Sequence, residues 1–130
     1  FINALKYHIM DYDDFRNMNV WQLAYNLVIK IYKITAEFPP EEKFGMTSDM
    51  RRAANSIIHN IAEGFGRYEK KDKTRFYKIS RGSCFELMSQ TLVSEGLNFI
   101  NHQTSEEIIN DNKAIIKELN SIIKTIENKD

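Results

Sequence analysis

Apolar residues recur at intervals of three and four in four separate stretches of the chain, and no stretch alternates with the period of two that a half-buried strand requires. From about Val20 to Phe38, Trp21, Ala24, Leu27, Val28, Ile31 and Ile34 predict a helix with one buried face, which Pro39 and Pro40 are expected to stop. A second helix is expected to open at MTSDM. There Thr47 or Ser48 can accept the free N–H groups, and Asp49 suits the positive end of the dipole. It is predicted to run to Ala62 or Glu63, with Gly64 in the left-handed position that follows a helix end.

After the charged link GFGRYEKKDK, a long third helix is predicted, with Phe76, Ile79, Ser83, Leu87, Leu92 and Leu97 on or near its inner side. Gly82 and Ser83 interrupt that stripe. Glycine inside a helix costs ~1 kcal/mol against alanine, so Gly82 is expected to mark the close passage of another helix. The fourth helix is expected to start in NHQTSEE, where Thr104 with Glu107 three residues on reads as a capping box. Ile108, Ile115, Leu119, Ile122 and Ile126 form one seam on it, and Ile109, Ile116 and Ile123 repeat beside that seam at seven-residue spacing. The double column is wider than a two-helix seam needs, so Ile109, Ile116 and Ile123 are the expected oligomer interface. Four helices with short links predict an all-α, up-down-up-down four-helix bundle.

A length of 130 residues suits one domain with a sizeable core. The bundle is assigned to residues 15–130, and residues 1–14 are expected to be an N-terminal extension, non-native or disordered in part. Lys and Arg number 18, as do Asp and Glu, so net charge points to no class of partner. The single cysteine, Cys84, permits no intramolecular disulfide and sits in an apolar stretch, where a small core residue is expected rather than a nucleophile. Lys30 and Lys33 break the most apolar segment well short of the ~20 residues that span a bilayer. A soluble cytoplasmic protein without membrane contact is the expectation.

The stretches FRNMNVWQLAYNLVIKIYKIT, FPPEEKFGMTSDMRRAANSIIHNIAEGFGR and FYKISRGSCFELMSQTL, over roughly Phe15 to Ile100, resemble the 23S rRNA intervening-sequence proteins. The second helix of that family reads like S-I-P-x-N-I-A-E-G, then a glycine or aromatic and Arg. Here Ser56, Ile57, Asn60, Ile61, Ala62, Glu63, Gly64 and Arg67 stand at those positions, with Ile58 where the family often has proline. Gly82, Ser83, Glu86 and Leu87 match the G-S-x-x-E-L pattern. The resemblance implies a bundle that assembles as a ring, commonly a homopentamer. The chain is similar as well to the accessory proteins of diversity-generating retroelements, which associate with a reverse transcriptase and nucleic acid. For most intervening-sequence members it implies no known biochemical activity.

Arg52, Ser56, Asn60 and Glu63 fall at steps of four, four and three, and so share a helix face. Glu63 as a base with Asn60 as a ligand holder is one reading. A hydrogen-bonded seam that sets helix register, flanked by Gly64 and Gly82, is the favoured one, because no nucleophile or histidine completes a catalytic group. His59 and His102 lack metal-ligand spacing, and GFG follows no strand, so no catalytic residue, metal or cofactor is expected. Charge distribution carries more. Between Arg51 and Arg81 stand nine cations and three anions, and the remainder of the chain is acidic to the same extent. Arg67, Lys70, Lys71, Lys73, Arg75, Lys78 and Arg81 are interleaved with Tyr68, Phe76 and Tyr77, the mixture that phosphate contact and base stacking use. The expected function is therefore a non-enzymatic oligomer that binds RNA or DNA, or a nucleic-acid-processing partner, through this patch. The alternative is a protein–protein scaffold with no nucleic-acid contact.

Overall fold

The computed structural model describes residues 12–129, so most of the extension expected over residues 1–14 lies outside the described residues. A 3-10 turn, Asp14–Asn17, leads into four helices: α1 Asn19–Thr35, α2 Met46–Gly66, α3 Lys70–Gly96 and α4 His102–Glu127. A second 3-10 turn, Pro40–Glu42, bridges α1 and α2. There is no strand among the described residues. Each helix packs on its neighbours in sequence, and α1 closes the bundle by packing on α4, which leaves α1 and α3 at diagonal corners. The core is built from Val20, Leu27 and Ile31 of α1, Met50, Ile57 and Ile61 of α2, Leu87 of α3, and Ile108, Ile115 and Leu119 of α4.

Helix ends differ from those predicted, because groups other than the predicted ones hold the end turns. α1 stops at Thr35, ahead of the prolines. Its last turn is held from α2: Arg51 Nε donates to Thr35 Oγ1 at 2.9 Å, and Arg51 Nη2 to the Tyr32 carbonyl at 3.2 Å. α2 has Gly45 as its N-cap rather than Thr47 or Ser48. Glu42 Oε1 accepts from Met46 N at 3.0 Å, and Thr47 is buried. Asn101, not Thr104, caps α4, its side chain accepting from Thr104 N at 2.8 Å.

Gly64 takes the close-approach role predicted for Gly82, and neither glycine ends a helix. Gly64 lies inside α2, which continues to Gly66, and no glycine among the described residues has a positive φ. A Cβ at Gly64 would sit 2.7 Å from Tyr77 Cε1, so this is where a side chain of α3 presses on a neighbouring backbone. Gly82 is exposed, and a Cβ there would meet nothing within 4 Å. Of the predicted inner face of α3, Ser83 and Leu87 are buried and Phe76 is half-buried, but the remainder faces solvent. Thr74, Tyr77, Ser80, Ser83, Cys84, Leu87, Thr91 and Ser94 face inward, whereas Ile79, Leu92 and Leu97 are exposed. Small hydroxyl residues let α2 and α3 approach closely and find acceptors there. Ser80 Oγ donates to the Ile57 carbonyl at 2.7 Å, and Thr91 Oγ1 to its own helix at the Leu87 carbonyl, also 2.7 Å.

On α4 the bundle uses most of both isoleucine columns, because α4 must cover α1 and α3 at once. Ile123 is a core residue, Ile116 is half-buried against the core and Ile109 is half-buried, so the column Ile109, Ile116 and Ile123 is not a surplus apolar face. Cys84 is fully buried, and burial pushes its thiol up to about 12 against the opposing charge of Arg81. At pH 8 the thiolate is then a very minor species. A disulfide reagent should leave the native protein untouched over minutes and titrate one thiol after denaturation; rapid labelling of the native chain would contradict this packing.

Candidate nucleic-acid interface

α2 ends and α3 begins around a break of three residues, Arg67–Glu69, which gathers basic residues at one end of the bundle. Lys70 and Lys71 occupy the first turn of α3, the positive end of its dipole, and Glu69 makes no side-chain cap there. Cations in that place oppose the dipole, and a bound anion would relieve the conflict. The centre of the cluster is Phe76. The Arg67 guanidinium lies 4.5 Å from its ring centroid and that of Arg75 lies 4.4 Å away. Each arginine also holds a carboxylate, Arg67 with Glu63 at 3.0 Å and Arg75 with Asp72 at the longer distance of 3.8 Å. Exposed pairs of this kind contribute little, so both guanidiniums stay available to a competing anion.

The seven basic residues singled out from sequence separate into two groups. Arg67, Lys71 and Arg75 are exposed together, and Lys71 has no hydrogen-bond or ion-pair partner among the described residues. The other four are held by other segments of the chain, although Lys70 and Lys78 are exposed as well. Lys73 turns inward and donates to the Gly64 and Phe65 carbonyls at 3.1 and 2.8 Å, closing the C-terminal end of α2, and burial lowers its pKa. Lys70 Nζ donates to the Lys129 carbonyl. Lys78 pairs with Glu127 at 2.7 Å, and Arg81 Nε donates to Asn120 Oδ1 at 2.7 Å. Lys71, Arg75 and Lys78, with Thr74, Ile79 and Glu127, line an open groove of about 550 Å³ between α3 and α4. Of the three aromatic residues expected to stack on bases, Tyr68 is fully exposed and Phe76 is covered by the two guanidiniums. Tyr77 is buried against Gly64 and cannot stack on a base.

The polar line of α2 also divides. Ser56 Oγ lies 2.7 Å from Ser83 Oγ, and Asn60 Nδ2 donates to the Ser56 carbonyl at 2.7 Å, which forms a small seam with α3. Arg52 and Glu63 carry their charged tips outward, Arg52 to Asp49 at 2.9 Å and Glu63 to Arg67. Long side chains on the border of a buried face do this readily. Sequence reading missed the clamp on Phe76, since Arg67 reaches it across the helix break and no periodicity links them. It also missed Glu127, brought in from the far end of the chain. Among the described residues, no group of three His, Cys, Asp or Glu side chains could hold a metal ion, and no helix is long and apolar enough to cross a membrane.

These features define an all-α, four-helix protein with a cationic end. The chain belongs to the 23S rRNA-intervening sequence protein family, whose model matches residues 16–121. Among solved structures it is similar to a protein of unknown function from the S23 ribosomal protein family of Bacteroides thetaiotaomicron VPI-5482. That match has a TM-score of 0.73 and 25% identity, covering 81% of this chain and 98% of that one. No curated protein matches the chain.

Proposed function

We propose that this protein is a non-enzymatic, cytoplasmic, ring-forming bundle that binds single-stranded RNA or DNA through the end of the bundle carrying Arg67, Lys71 and Arg75. The observation that carries the reading is the pair of guanidiniums on Phe76 beside the unpaired Lys71. Phosphates would take the cations, and Tyr68 offers an exposed ring for a base. No helix is presented for a major groove, so backbone contact dominates and sequence preference is low. An up-down-up-down course is supported by contacts that run in opposite order between successive helices. Tyr32 meets Asn55 while Thr35 meets Arg51, and Ser80 meets Ile57 while Ser94 meets Met50. A ring, pentameric by family resemblance, would repeat the patch and raise avidity without new contacts.

Anisotropy titration of a fluorescent oligonucleotide at several salt concentrations tests this. Three phosphate contacts on a single strand give a log–log salt slope of about −2 per protomer engaged. Absence of binding at low salt, or affinity indifferent to salt, would overturn the proposal and leave a protein partner as the reading.

A further inference from the structure

The large apolar side chains that the bundle leaves in solvent are not spread evenly. Among the described residues, those on helices all lie on α1 and α3, and none lies on α2 or α4. On α1 they are Tyr25, Ile29 and Tyr32. On α3 the centre of the exposed set is Phe85, Leu92 and Val93, and across both helices the exposures run from 40% to 57%. The steps are those of a coiled-coil seam. Tyr25, Ile29 and Tyr32 stand four and three apart, and Gly82, Phe85, Ser89, Leu92 and Gly96 alternate three and four, with a small residue at every seventh place. A Cβ at Gly82 or Gly96 would meet nothing within this chain, so the bundle's own packing does not explain those glycines. A second helix lying on the seam would.

Resting on the ring reading above, we infer that the outer face of α1 in one copy packs into the outer face of α3 in the next, head to tail. Three observations select a second copy as the occupant. First, the faces are complementary: α1 offers a ridge of large side chains, whereas α3 offers holes between Phe85 and Leu92 that such knobs can fill. Pairing α1 with α1 would set ridge against ridge. Second, one pair of charges beside them is opposite, although Arg81, 5.1 Å from the Phe85 ring, also borders the α3 stripe. Lys33 borders the α1 stripe and Glu86 the α3 stripe, and both are exposed with no ion-pair partner among the described residues. Third, the area fits. A large side chain of ~150–250 Å², about half exposed, leaves ~100 Å², so Phe85, Leu92 and Val93 present on the order of 300 Å², to which Leu97 just past the end of α3 adds. An ordinary interface buries ~800 Å² per partner, a little over half of it apolar.

Position in the fold makes the contact propagate. α1 and α3 occupy diagonal corners, so the two faces point away from each other. They also lie at one height. Met50 and Arg51, adjacent on α2, meet Ser94 at 3.5 Å and Thr35 at 2.9 Å respectively, which sets the C-terminal ends of the two stripes level. Two different faces on opposite sides of a subunit give a heterologous contact, which closes into a ring when the rotation allows.

Two variants test this by light scattering at micromolar concentration, with helicity followed by circular dichroism. One carries Tyr25→Glu and Ile29→Glu, the other Phe85→Glu and Leu92→Glu. Each alone should fall from the wild-type oligomer to the 15.3 kDa monomer. Mixed in equal amounts they should form a 1:1 dimer and nothing larger, since each retains one intact face. A wild-type mass in both variants would overturn these faces and leave the ring standing; a monomeric wild type would overturn both. Self-association of the α1 variant as a dimer would replace the head-to-tail contact with an α3–α3 pair. Should a Glu variant unfold, Gly82→Gln with Gly96→Gln decides the matter. Filling the holes should raise the melting temperature of the isolated subunit while lowering the oligomer mass, a combination that a folding defect cannot produce. An unchanged mass in that variant would overturn the inference.

Discussion

Gly64→Val should lower the melting temperature by roughly 10 °C, the largest stability effect expected of any glycine in the chain. The added Cβ would lie 2.7 Å from Tyr77 Cε1 and 2.9 Å from Cδ1 and Cζ, so the ring must move before anything else fits. Tyr77 has little room, being only 3% exposed, and Lys73 is bonded to the Gly64 carbonyl on the same turn. Overpacking of this kind costs ~1–3 kcal/mol, and the better helix propensity of valine returns only a few tenths. For a domain of this size 1 kcal/mol corresponds to ~4 °C. Calorimetry of Gly64→Val, Tyr77→Ala and the double variant separates the cause. If the ring is the obstacle, the double variant will be much less destabilised than the two single costs together. Gly82→Ala is the contrast, expected to leave the subunit as stable as wild type or more so. A Gly64→Val protein that melts with wild type would mean that α2 and α3 do not meet as described.

The second large effect concerns binding. Arg67→Glu, Lys71→Glu and Arg75→Glu together should weaken affinity for a single-stranded oligonucleotide by about 100-fold at ~0.1 M salt, and flatten the salt slope toward zero. Three charge-assisted contacts at ~1 kcal/mol each give that factor. The fold should survive, because all three residues are exposed and the pairs given up, Arg67 with Glu63 and Arg75 with Asp72, are surface pairs of small value. Lys73 belongs outside this set. Its ammonium closes the end of α2 through the Gly64 and Phe65 carbonyls, so Lys73→Met should cost stability and leave the affinity of the folded protein unchanged. Binding equal to wild type in the triple variant would remove this end of the bundle from consideration.

What the sequence revealed follows from where each signal originates. Helix period and number are local properties. The stripes on α1, α2 and α4 were accordingly legible, as were the motif residues that place the chain in its family. α3 was read only in part: Ser83 and Leu87 were placed inside, but Thr74, Ser80, Thr91 and Ser94 were missed, because hydropathy counts their hydroxyls as polar although they are satisfied by nearby groups. The more apolar residues of that helix, Ile79, Leu92 and Leu97, face solvent. Both glycines were misread because a missing side chain says that something is close or that the backbone turns, without saying which. Only the neighbour, Tyr77 in one case and open space in the other, decides. In the cationic end the residue types were visible and their engagement was not. Whether a lysine is free depends on partners such as Glu127 and the Gly64 carbonyl, which no spacing rule connects to it.

Trp21 is the chain's single tryptophan, and its ring stacks on Tyr25 with centroids 5.4 Å apart while Phe15 packs edge-on at the same distance. Phe15 in turn meets Phe65, next to the carbonyl that Lys73 closes. The indole thus stands between the outer stripe of α1 and the cationic end, half-buried, where a change in solvent at either place should alter its emission. The protein therefore carries an intrinsic optical probe with which the proposed assembly and oligonucleotide binding can be tested in the unlabelled wild-type chain.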